Sequence, residues 1–227
     1  MKHANVPFVV AIDGPAGAGK STVAKKLADH LGYAFLDTGA LYRTVAWFAE
    51  SSGIGWTDAA GLAELASNLD VVFQRTGTQN RVVANGVDVT TDIRRPSISS
   101  GASQVSALPE VRTALLGLQR RTAMSQSVVA EGRDVGTVVF PHAQAKFFLT
   151  ATLVTRARRR TEEIRATGKE ADLDNVMNEI RIRDERDSMR NVAPLQKASD
   201  ALEIDTSNQT PDALVEQMAF VVRQRGG

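Results

Sequence analysis

Lys20 and Ser21 close the run Gly14-Pro15-Ala16-Gly17-Ala18-Gly19-Lys20-Ser21, and that spacing, G-x-x-x-x-G-K-[ST], is built for phosphate chemistry. Glycines let the backbone curl so that the N–H groups between Gly14 and Thr22, Pro15 excepted, meet negative charge at a helix N-terminus. Lys20 is then expected on the β- and γ-phosphates of a nucleoside triphosphate and Ser21 on a Mg²⁺ ion. The flanks suit the motif. Val9-Val10-Ala11-Ile12-Asp13 reads as a buried parallel strand, and Thr22-Val23-Ala24-Lys25-Lys26-Leu27-Ala28 continues as a helix.

Other chemically capable residues sit at the ends of further apolar runs. Phe35-Leu36-Asp37-Thr38-Gly39-Ala40-Leu41-Tyr42-Arg43 is a strand ending in an acid, a Thr-Gly turn, and a helix carrying an arginine. In a parallel sheet the strand C-termini face the ligand crevice, which puts Asp37, Thr38 and Arg43 at the functional edge. Val128-Val129-Ala130-Glu131-Gly132-Arg133-Asp134 repeats the arrangement. Glu131 stands where an acid orients a Mg²⁺ shell, so Asp37 or Glu131 is expected to reach the metal through water. Arg133 offers a fork for phosphate oxygens, and Asp134 an acceptor for an amine or hydroxyl. Downstream, Arg156 and Arg158-Arg159-Arg160 form one basic cluster, and Arg183, Asp187 and Arg190 fall at i, i+4 and i+7 on one helix face. Alone, such runs are solvated faces. Beside a phosphate loop they supply the cations that phosphoryl transfer needs, including an arginine lid at about 155–170 whose first helix Gly168 ends.

These residues must be held by an α/β scaffold. Strands are expected near 7–13, 34–37, 127–131, 145–150 and 202–206. Helices are expected near 19–31, 39–52, 59–68, 109–124, 153–167, 173–190 and 210–224, the last opened by Thr210-Pro211-Asp212. The alternation implies a parallel sheet flanked by helices. From Leu69 to Val89 it gives way to three short β-runs divided by turns at Thr76–Asn80 and Asn85-Gly86, the mark of an antiparallel β insertion. Composition narrows the classes further. The 227 residues suit one chain of ordinary α/β size, and 27 basic against 26 acidic residues, a net charge of +1, give no electrostatic case for nucleic acid or a membrane surface. Cysteine is absent, which excludes disulfides and thiolate metal sites. No apolar run approaches the roughly 20 residues that span a bilayer, and the start has no signal-peptide pattern, so a cytoplasmic protein is expected. Neither a guanine-reading Asn-Lys-x-Asp nor a long regulatory extension speaks for a switch protein. His3, His30 and His142 stand apart from any acid cluster and carry no expected metal or base role; Trp47 and Trp56 read as packing.

Taken together, the motifs resemble the bacterial cytidylate kinases, a family of nucleoside monophosphate kinases. The resemblance spans nearly the whole chain. Its most specific parts are Leu36–Arg43, Ala102-Ser103-Gln104-Val105, Gly132–Pro141, and Arg183–Asp187 with Arg190–Leu195. It implies the P-loop NTPase fold, with a core at about 1–68 and 109–227 and a monophosphate-binding insertion at about 69–108. It also implies ATP- and Mg²⁺-dependent phosphorylation of CMP and dCMP to the diphosphates; a monomer is expected separately, not from the resemblance. Carried over, Arg43, Arg133 and Arg190 clamp the acceptor phosphate beside Thr38. Ser103, Arg112 and Asp134 read cytosine, Arg183 and Asp187 address the sugar, and Arg156 with Arg158–Arg160 supply the lid, Arg156 and Arg159 on ATP. The family pattern often has Ser at position 38 and Asp at 131. Thr38 keeps the hydroxyl, and Glu131 keeps the charge on a longer arm. No strong general base is expected, because a phosphate oxygen is already nucleophilic at pH 7.

Overall fold

Apolar runs with no polar face become inner strands, and Val10, Ala11 and Ile12 are completely buried. In the computed structural model, which describes residues 6–76 and 79–227, they belong to β1 (Val9–Asp13). The elements that follow are α1 (Lys20–Leu31), β2 (Ala34–Asp37), α2 (Thr38–Ser51), α3 (Ala59–Ser67), β3 (Val71–Thr76), β4 (Gln79–Ala84) and β5 (Val87–Asp88). Then come α4 (Pro96–Val105), α5 (Pro109–Arg121), β6 (Val128–Glu131), β7 (Ala145–Thr150), α6 (Leu153–Ala166), α7 (Leu173–Met189), β8 (Leu202–Asp205) and α8 (Pro211–Gln224). The strands form a five-stranded sheet, ordered β2-β6-β1-β7-β8, and a three-stranded sheet, β3-β4-β5. The predicted α/β architecture is therefore present. Its elements end within two residues of expectation, except that α5 tightens into a 3₁₀ turn at Thr122–Met124.

The chain divides into two compact units. One comprises the chain up to Phe35 together with Ala123–Gly227. Here β1 pairs in parallel with β6 (Val10 opposite Val129) and with β7 (Val10 opposite Ala145), and β7 pairs in parallel with β8. Val10, Ile12, Phe147 and Leu149 pack with Val23 and Leu27 of α1 and with Leu214, Met218 and Val222 of α8. Each helix is closed by local chemistry. Gly32, at φ 69°, donates its N–H to the carbonyls of Ala28 and Asp29 at the end of α1. Thr152, Asp172 and Thr210 cap α6, α7 and α8, each accepting a backbone N–H three residues on. A small apolar cluster, Ala157, Val176 and Ile180, joins α6 to α7.

The other unit, Leu36–Thr122, contains α2 to α5, the antiparallel sheet, and the whole 69–108 stretch. Asn85 and Gly86 both take left-handed backbone, φ 48° and 79°, and form the two-residue hairpin turn expected of that pair. The turn at Gly77-Thr78 and the reading of His3 lie outside the described residues. Besides a short 3₁₀ turn at Asp92–Arg94, two described elements were not expected. The first is α4, with Ile98, Ala102 and Val105 buried. It lies so close to Trp56 that a Cβ on Gly101 would come within 2.5 Å of the indole. The second is a π-helical turn at Val135–Val139, in the first unit. Trp47 and Trp56 are partly buried against the core of the Leu36–Thr122 unit.

Candidate active site

The loop between β1 and α1 can follow its path only with glycine at key points. Gly14 has φ 146°, and a Cβ there would lie 2.0 Å from the Leu149 carbonyl oxygen; at Gly17, φ 75°, it would lie 3.0 Å from the Arg156 Cβ. The loop delivers Lys20, 5% exposed, whose Nζ donates to the Pro15 carbonyl at 2.7 Å. Ser21 donates its hydroxyl to Glu131 Oε1 at 2.5 Å, because the parallel register sets Glu131, at the end of β6, beside Ile12. Ser21 and Glu131 present hard oxygens suited to Mg²⁺, which is bound through few protein ligands plus phosphates and water. Among the described residues there is no cluster of three His, Asp or Glu side chains able to hold a metal. Asp37 is differently engaged: it accepts from Ala40 N–H at 2.9 Å and from Arg43 Nη2 at 2.6 Å.

Arg133 Nε donates to Asp187 Oδ2 at 2.8 Å, and Asp187 is 3% exposed. Asp134 accepts from Arg190 Nη2 at 3.4 Å, while Arg190 Nε donates to the Ala193 carbonyl. Arg183 lies within electrostatic reach of both Lys20 and Asp187. Arg156 is buried. It donates to the Ala16 carbonyl of the phosphate loop at 3.0 Å and to Asp184 Oδ2 at 2.5 Å. Arg159 donates to Thr206 Oγ1 at 3.0 Å, and Thr206 in turn donates to the Ala18 carbonyl at 3.1 Å. Arg158 is exposed, and Arg160 pairs with Glu163 one turn along α6.

In the Leu36–Thr122 unit, Thr38 is buried at the first turn of α2. Ser103 and Arg112, 4% and 7% exposed, converge on Ser106: its hydroxyl donates to the Ser103 carbonyl, and Arg112 Nη1 donates to the Ser106 carbonyl at 3.0 Å. The Arg112 guanidinium also stands over the Tyr42 ring, 5.3 Å from its centroid.

Charge is concentrated around the loop. Burial pulls the Lys20 pKa down to about 7, the Arg133 cation lowers it further, and Glu131 opposes both. Burial pushes Asp13 up to about 6, against the hydrogen bonds it accepts from Gly136 and Val135. Burial disfavours charge on Arg133, but Asp187, Glu131 and Asp184 outweigh it and raise its pKa. Burial likewise disfavours charge on Asp187, yet Arg133 and Arg183 hold its carboxyl below the ordinary value. Sequence reasoning passed over Asp13, Asp184 and Thr206. Only Asp13 had a local signal, as the acid that closes the first strand immediately before the loop.

A parallel sheet with a glycine loop from its first strand into a helix, Lys20 and Ser21 on that loop, and an acid from the neighbouring strand bonded to Ser21 define a P-loop protein of the nucleoside triphosphate-binding class. The chain belongs to the cytidylate kinase family, whose model matches residues 10–224. A cytidylate kinase of Geobacter sulfurreducens is 49% identical over 218 residues, covering 96% of this chain and 94% of that protein. One from Symbiobacterium thermophilum is 49% identical over 212 residues, covering 93% and 94%. Among solved structures, an uncharacterized protein from Eubacterium ventriosum aligns with a TM-score of 0.53 at 14% identity, over 95% of this chain and 98% of that one, a likeness of fold alone.

Proposed function

We propose that this chain transfers the terminal phosphoryl group of ATP to the phosphate of CMP or dCMP, giving ADP and CDP or dCDP. The observation that carries the reading is the bond from Ser21 to Glu131 beside the buried Lys20, behind a glycine loop, in a chain of the cytidylate kinase family. An oxygen of the acceptor phosphate forms a bond to the γ-phosphorus as the bond from that phosphorus to the β,γ-bridging oxygen breaks, and the electron pair leaves with ADP. Gly14 and Ala16–Thr22 hold the donor phosphates through backbone N–H groups, with Pro15 shaping the loop without an N–H of its own, and Lys20 offsets charge on the β- and γ-oxygens. Ser21 and Glu131 are the residues that would hold a Mg²⁺ ion, directly or through water, and the ion would supply neutralisation of the donor phosphates' charge.

On the acceptor, Arg43, Arg133 and Arg190 hold the phosphate, with Thr38 beside it. Ser103, Arg112 and Asp134 read the base, and Arg183 and Asp187 the sugar. Arg156 and Arg158–Arg160 act from α6, Arg156 and Arg159 toward ATP. Positioning of two anions among cations supplies most of the acceleration, and no protein group needs to remove a proton. The test is ATP consumption with CMP, dCMP, UMP and AMP as acceptors at fixed ATP and Mg²⁺. ADP release that depends on CMP and dCMP far more than on UMP or AMP is the expected result. ATP hydrolysis indifferent to the acceptor would overturn the reading.

A further inference from the structure

Asp13 has no part in the scheme above, yet it is a carboxylate only 4% exposed on the central strand of the sheet. Its two oxygens are used separately: Oδ1 accepts the Val135 N–H and Oδ2 the Gly136 N–H, each at 2.7 Å. Those amides open the π-helical turn. Within that turn Val138 and Val139 donate to the Asp134 carbonyl and Phe140 to the Val135 carbonyl, so the turn's own bonds leave the first amides to be satisfied from outside. Asp13 therefore works as an N-cap supplied by a distant strand. A two-point bond fixes the orientation of the turn as well as its position. Arg133 and Asp134 stand immediately before the capped amides, and Gly14 immediately after Asp13. The backing is tight: a Cβ on Gly136 would lie 3.3 Å from Asp13 Oδ2 and 3.2 Å from Lys146 Cδ. Lys146 cannot swing freely, because its Nζ donates to the Pro141 carbonyl at 2.7 Å and to Asp200 at 3.0 Å.

We infer that Asp13 is a positioning residue for the acceptor nucleotide, locking the turn that carries Arg133 and Asp134 to the strand that carries the phosphate loop. The inference rests on the proposed roles of Arg133 and Asp134. A merely structural acid would lower stability and leave the kinetic constants of the surviving folded enzyme alone. A positioning acid separates the two substrates.

Two variants disturb the same contact from opposite sides. Asp13→Asn keeps one acceptor and turns an NH₂ toward the second amide, and Gly136→Ala pushes a methyl against Oδ2. In both, kcat/KM for CMP is expected to fall by about tenfold or more, while the Kd for ATP, titrated directly on the full chain, stays within about threefold of wild type (a change below ~1 kcal/mol). Circular dichroism melts establish that each variant is folded; should Asp13→Asn not fold, Gly136→Ala decides alone. The inference is overturned if a folded variant uses CMP within about twofold of wild type, or if ATP affinity and CMP use fall together. A wild-type enzyme that ignores CMP would instead overturn the proposed function, so the two failures are distinguishable.

Discussion

Burial, and after it the neighbouring Arg133 cation, disfavour charge on Lys20. Such an arrangement sacrifices stability of the free protein for affinity toward an anion. Lys20→Ala is therefore expected to lower kcat by about 10²–10³, as loss of an electrostatic stabiliser does, with a melting temperature equal to or above wild type. A folded variant with near-normal turnover contradicts the role. Asp134 carries a second prediction. Cytosine presents an amine at C4 and uracil a carbonyl, so a carboxylate accepts from one and repels the other. Asp134→Asn can offer an N–H to uracil, so the CMP-over-UMP ratio of kcat/KM should narrow by roughly tenfold to a hundredfold, about 1–3 kcal/mol. An unchanged ratio with lower overall activity would mean that Asp134 acts only by orienting Arg190, whose Nη2 donates to it at 3.4 Å. At this scale the sequence showed which residues end strands but not what they touch. Glu131 and Asp37 read alike as strand-terminal acids. Only three dimensions separate the acid bonded to Ser21 from the one that caps α2 and binds Arg43.

Elements were legible wherever local and tertiary preferences agree. Apolar runs such as Val9–Ile12 and Phe147–Leu149, and cap residues such as Thr210 before Pro211, announce themselves within a few positions. Helix α4 did not, for a physical reason. Its sequence, Pro96-Ser97-Ile98-Ser99-Ser100-Gly101-Ala102-Ser103-Gln104-Val105, is rich in serine and holds a glycine, both poor helix formers, so propensity argues for a loop. The helix exists because Ile98, Ala102 and Val105 bury one stripe in the core of the second unit, and because Gly101 lets the backbone lie against Trp56. Trp56 cannot easily yield, since its indole N–H donates to the Ala46 carbonyl at 3.1 Å. Gly101→Ala would gain about 1 kcal/mol of helix propensity in an open helix. Here overpacking against the indole should cost about 2–3 kcal/mol, a net loss of about 1–2 kcal/mol that lowers the melting temperature by about 2–8 °C. A calorimetric melt that rises would show that α4 has room to shift. The turn at Val135–Val139 escaped for a related reason: its first amides are satisfied by Asp13, which is 122 and 123 positions away in sequence.

For the whole molecule, a net charge of +1 hides how unevenly charge is distributed. Around the phosphate loop the folded state holds one carboxylate and one ammonium against their preferences, and the two act at different pH. Asp13, raised from 3.8 to about 6, binds a proton more readily folded than unfolded, so its contribution to stability declines as pH rises through that window. Lys20, lowered from 10.5 to about 7, binds its proton less readily when folded, so stability recovers as pH rises from about 7 toward 10.5. A triphosphate reverses the second effect. Anionic oxygens beside Lys20 favour its charged form and must raise its pKa, which means that ATP binding takes up a proton. With the free-state pKa lowered to about 7, the free enzyme holds less of the Lys20 proton as pH rises, so uptake on ATP binding should grow from pH 7 to pH 8. At pH 8 the terminal phosphate of free ATP, titrating near 6 like other phosphate groups, is already ionised and contributes little. Calorimetric titration of ATP in buffers of different ionisation enthalpy measures this uptake directly. Lys20→Ala should abolish it, while Asp13→Asn should leave it nearly intact. Uptake that is absent in the wild type at pH 8, or that survives in Lys20→Ala, would place the titrating group elsewhere and remove the argument that burial of Lys20 is stored for the incoming phosphates.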